Sequence, residues 1–101
     1  MKQIEIIVVC KHEEILKTIA RLINTDPSLN ATTANTLEQA ITVLKSAYFD
    51  LVLVGSGLSA DEESELSAIV QKMRQDIPVV FHYGGGSGLL FTEIRQALKT
   101  K

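Results

Sequence analysis

Cys10, Lys11 and His12 stand together where an apolar run ends, so a thiol, an ammonium and an imidazole share one stretch of chain. Further on, Ser56 sits in Gly55-Ser56-Gly57-Leu58, and the same tetrapeptide recurs as Gly86-Ser87-Gly88-Leu89, shortly after His82. A thiol next to a cation can be a nucleophile when its pKa is depressed. Here no Cys-x-x-Cys, partner base or resolving cysteine accompanies it, so a buried small hydrophobe is the competing reading. Ser56 lacks the five-residue Gly-x-Ser-x-Gly spacing of a nucleophile elbow. Zinc at Cys10, His12 and His82 has no ligand spacing behind it, and no metal is expected. Anion chemistry remains. Main-chain N–H groups of glycine loops ahead of helices hold phosphate-like groups, and Lys11 adds a cation. Lys11, Ser56, Gly57, Ser87 and Gly88 are therefore the candidate anion-binding residues. Tight turns that need glycine dihedrals explain the same loops without a ligand, and no Walker or Rossmann spacing is met.

These residues depend on the elements that carry them. Ile4–Cys10 and Leu51–Gly55 are apolar without alternation, which predicts strands buried on both faces, as in a parallel sheet. Leu29–Ala34 is Thr-rich and weakly apolar, as suits an edge strand. Val79–Tyr83 is the fourth strand, opened by Pro78. Between the strands lie helical stripes: Ile15, Leu16, Ile19, Ala20, Leu22 and Ile23; Leu37, Ala40, Ile41 and Leu44; Leu66, Ile69, Val70 and Met73; and Leu90, Ile94, Ala97 and Leu98. Thr36…Gln39 and Ser59…Glu62 are capping boxes. The alternation βαβαβαβα predicts a parallel sheet with helices on both faces. In an open α/β sheet, ligands bind at the carboxyl ends of the strands, the edge that carries Lys11, Ser56 and Gly86.

The chain of 101 residues is expected to form one domain over 1–101, with no linker. A net charge of −2 and five aromatic residues without Trp give no reason to expect nucleic acid or membrane binding. No apolar run approaches the roughly 20 residues of a membrane span. The run after Met1 contains Glu5 and is not followed by a small-residue cleavage site, so it is read as a strand and the protein as cytoplasmic. Cys10 is the single cysteine, which excludes an intrachain disulfide.

The segment from Ala31 to Val54, with its Thr/Ala-rich strand, Leu37-Glu38-Gln39-Ala40 helix start and Asp50-Leu51-Val52-Leu53, resembles the middle of a response-regulator receiver domain. Val8–Ile15 is similar to that family's first strand and its acidic turn, and Ile77-Pro78-Val79-Val80 to its fourth strand. The resemblance covers about residues 3–83 and implies a flavodoxin-like, receiver-like three-layer sandwich with sheet order 2-1-3-4. It also implies a phosphorylation site, and here this sequence departs from the pattern. The phosphoacceptor position falls on Gly55, the acidic pair on Cys10 and Lys11, and the Thr/Ser position on Tyr83. The family's fifth strand has no counterpart. What the resemblance implies is a degenerate receiver-like signalling or interaction module, not an enzyme and without a cofactor.

Loss of a fifth strand would leave strand four at the edge of the sheet, apolar and uncharged, and such edges recruit another strand. The expectation is a protein partner, most simply a second copy, meeting Val79, Phe81, Tyr83, Leu90, Phe91 and Ile94. The runner-up is a sensor of a small anionic ligand at the two Gly-Ser-Gly loops.

Overall fold

The computed structural model describes residues 3–73, 77–82 and 86–99; the side chains of residues 86–88 are outside the description. The elements are β1 (Ile4–Val9), α1 (Glu13–Ile23), β2 (Leu29–Ala34), α2 (Leu37–Ser46), β3 (Leu51–Val54), α3 (Ala60–Met73), β4 (Val79–Phe81) and α4 (Gly86–Lys99). The four strands form one parallel sheet in the order β2-β1-β3-β4, the α/β order expected. Among the described residues, no helix is long and apolar enough to cross a membrane.

The unalternated strands are buried on both faces, and each face has its own core. Ile7, Val9, Val52 and Val54 pack with Leu37, Ala40 and Leu44 of α2 and with Leu66 and Val70 of α3. Ile6, Val8, Leu51 and Leu53 point the other way and pack with Leu16, Ile19 and Ile23 of α1 and with Leu90 and Ile94 of α4. Period-two alternation along each strand divides the two sets. Register follows: Ile6 faces Leu51, and Val52 faces Val79. Asp50 ties the entry of β3 to β1, accepting from the Glu5 N–H while its own N–H donates to the Glu5 carbonyl.

The caps form largely as the sequence predicts. Thr36 Oγ1 accepts from the Gln39 N–H at 3.0 Å, and the Gln39 side chain reaches back to the Asn35 N–H, one residue before the cap. At α3 the box closes in both directions, Glu62 N–H to Ser59 Oγ and Ser59 N–H to Glu62 Oε1.

Several expectations need correction. Leu90 and Ile94, assigned to an interface, are each 1% exposed and fill the core between α4 and the sheet. They lie on the helix face that covers Leu51 and Leu53, so they cannot meet a partner without unfolding α4. Ile15 and Met73, expected in buried stripes, are exposed. Each helix buries only its central stripe, and the flanks stay open where no neighbouring helix closes over them. β4 ends at Phe81, whereas the fourth strand was expected to reach Tyr83, which lies outside the described residues.

Candidate functional site

The carboxyl edge of the sheet is built by the residues that leave β1, β3 and β4. The Gly55 N–H donates to the Val9 carbonyl, the His82 N–H to the Val54 carbonyl and the Cys10 N–H to the Ala34 carbonyl. The ladder therefore runs one residue past each strand and holds Cys10 and Gly55 side by side.

That adjacency decides the chemistry. A β-carbon placed on Gly55 would lie 3.0 Å from both Cβ and Sγ of Cys10 and 3.6 Å from Cδ1 of Ile19. Ordinary carbon contacts are optimal at about 3.5–4.0 Å, so the Cys10 side chain occupies the space into which an acceptor side chain at 55 would grow. Gly55 and Cys10 are both buried. The thiol points at main chain, 3.3 Å from the Ser56 carbonyl and 3.5 Å from that of His12. It serves as a small buried side chain.

Lys11 is engaged as well. Its Nζ donates to Glu62 Oε1 at 2.8 Å, and its N–H contacts the Ser56 carbonyl at 3.3 Å. The hydrogen bond from Lys11, followed by the main-chain bond from Ser59, holds the Glu62 carboxyl below its ordinary pKa. Lys11 thus braces the amino end of α3. Gly57 has φ +104°, and a β-carbon there would meet Lys11 Cβ at 2.9 Å. This turn requires glycine on both counts.

Of the candidate anion residues, Lys11, Ser56 and Gly57 come together at this edge, with the ammonium already paired to a carboxylate. Ser87 and Gly88 lie in the first turn of α4, and their side chains are outside the description. Of the positions implied for phosphorylation, Cys10, Lys11 and Gly55 do meet, and Tyr83 lies outside the described residues. The donor set does not suit Mg²⁺, a hard cation that takes oxygen ligands. An ammonium has no lone pair to offer, and a thiol is a poor match. Among the described residues, no group of three or more His, Cys, Asp or Glu side chains could hold a metal ion.

One further pairing has no sign in the sequence. His82, 7% exposed, has Nδ1 2.5 Å from Oε1 of Glu93 on α4. The two residues match no motif, and only the return of α4 over β4 joins them. His12 is exposed above Gly57.

No protein-family model matches the chain, and no curated protein matches it. Solved structures do. The signal receiver domain of an HD domain-containing protein from Pseudomonas fluorescens Pf-5 superimposes with a TM-score of 0.84 at 20% identity, covering 98% of this chain and 97% of that one. A CheY-like receiver domain protein from Methanospirillum hungatei gives 0.84 at 15% identity, covering 98% and 96%. The response regulator TrrA from Thermotoga maritima, solved with Mg²⁺ and BeF, gives 0.71 at 19% identity, covering 99% and 98%. With the observed strand order, these likenesses establish that the chain has the receiver fold.

Proposed function

We propose that this chain is a receiver-fold signalling module that acts through protein contacts and takes up no phosphoryl group. The observation that carries the reading is the Cys10–Gly55 contact. The acceptor position has no side chain, and the space for one is filled by Cys10. Lys11, at an acid position, is bound to Glu62. The anion-sensor alternative gains no support from this geometry, since the cation it needs is already paired.

The partner is a second copy of the chain. Among the described residues β4 ends the sheet, and Phe81 on it is 37% exposed. With Leu90 and Ile94 assigned to the core, the contact narrows to the β4 edge and the outer face of α4, where Phe91 is half-buried and Leu89 is 46% exposed. The module works in the cytoplasm.

Incubation of the whole chain with acetyl phosphate and Mg²⁺, read by intact mass, tests the central reading. The expected result is no Mg²⁺-dependent phosphoryl adduct. A stoichiometric, Mg²⁺-dependent acyl phosphate would overturn it.

A further inference from the structure

A groove of about 280 Å³ runs between α1 and α4. Ile15, Ile19 and Leu22 form one wall and Leu90 the other, with His82 and the exposed Glu14 also lining it. The flank residue Ile15, 44% exposed, is open because this groove is open. A groove of this size falls just below the roughly 300–1,000 Å³ of drug-sized sites and suits a smaller molecule; such sites combine apolar walls with a few placed polar groups.

His82 is the polar group here, more than nine-tenths buried. A buried imidazole is costly unless its nitrogens are bonded, and a leucine would fill the space more cheaply. Only Nδ1 has a hydrogen-bond partner among the described residues, the Glu93 carboxylate. A carboxylate accepts, so Nδ1 donates, and in the neutral ring Nε2 is left with its lone pair. Glu93 thereby fixes both the tautomer and the orientation of the ring. The remaining charge at the groove is the Glu14 carboxylate, and no Lys or Arg lines it. Its chemistry is that of an acceptor in apolar surroundings, which disfavours anions.

We propose that the α1–α4 groove is a binding site for a small apolar molecule with a hydrogen-bond-donating head, an alcohol or phenol in class, with Nε2 of His82 as the acceptor. The groove borders the Cys10–Gly55 edge, sharing Ile19 with it and meeting it at His82, but the proposal stands independently of the interaction reading.

The test is titration of the whole ¹⁵N-labelled chain with three probes of like body: 4-ethylphenol, 4-ethylanisole and 4-ethylbenzoate. The phenol is expected to shift the amides of Thr18, Leu22 and Leu90 to saturation. It should bind about three- to tenfold more tightly than the ether, the ratio one net hydrogen bond supplies, and the benzoate should bind most weakly. His82→Leu should make phenol and ether equal. Thr18→Trp, at an exposed position lining the groove, should block both without touching the core, so the test survives if His82→Leu fails to fold. Equal affinity for phenol and ether in the native chain, shifts away from the groove, absence of saturation up to probe solubility, or undiminished binding to Thr18→Trp would each overturn the proposal.

Discussion

Replacing Gly55 by alanine should destabilise the domain, although glycine-to-alanine changes at ordinary backbone angles usually stabilise by about 0.4–1 kcal/mol. Gly55 has no positive φ, so its backbone would accept alanine. The obstacle is the new methyl, 3.0 Å from both Cβ and Sγ of Cys10. Cβ cannot yield without moving the backbone where β1 ends, and β1 is paired on both sides. Overpacking of this kind costs about 1–3 kcal/mol, which leaves a net loss of about 1 kcal/mol at the middle of these ranges after the entropic gain. For a chain this short, each kcal/mol lowers Tm by about 4–8 °C. Cys10→Ala removes the sulfur contact but keeps the Cβ contact, so the double variant should recover about half of the steric cost. The assay is urea unfolding of the two single variants and the double variant. A Gly55→Ala protein as stable as the native one, or costs that add within about 0.5 kcal/mol, would refute the claim that Cys10 fills the acceptor space. Gly55→Asp should fare worse, because a buried carboxylate with no partner adds several kcal/mol more.

Three further outcomes are expected. Leu90→Ala should cost about 2–5 kcal/mol by leaving a cavity in the core, while Gln96→Ala, at an exposed position of the same helix, should stay within about 0.5 kcal/mol; chemical denaturation of both separates core from surface on α4. Because the Glu62 carboxyl is held below its ordinary value of 4.5, the unfolded chain binds its proton more tightly. The Lys11–Glu62 contribution is then complete above that value and is lost as pH falls through the depressed one, so Lys11→Met should flatten the acid limb of a stability–pH profile. Phe81→Glu, at a position 37% exposed on β4, should abolish self-association in sedimentation equilibrium under conditions where the variant remains folded; an undiminished dimer would place the contact elsewhere.

The sheet was legible because its strands are apolar on both faces, a pattern that leaves few alternatives to a parallel sheet covered on both sides. The helix starts were legible because Thr36 and Ser59 carry their capping partners three residues on. What escaped was contact between residues distant in the chain. Nothing in the sequence shows that Cys10 points into the space above Gly55, that Lys11 reaches Glu62, or that α4 brings Glu93 onto His82. The stripe of α1 is narrower than its apolar spacing suggests for a related reason. Apolar spacing gives the direction of a buried face but not its width, and Ile15 lies where α1 and α4 leave a groove. Leu90 and Ile94 belong to the core, and their helical spacing with Ala97 and Leu98 is the sign of it.

The most direct test of the closed site is a ¹⁵N–¹H spectrum of the whole chain with Mg²⁺ and beryllofluoride, an acyl-phosphate mimic that needs an acceptor carboxylate. The Cys10, Gly55 and Ser56 amides should not move. Saturable, Mg²⁺-dependent shifts at those three amides would show an open site and contradict the account.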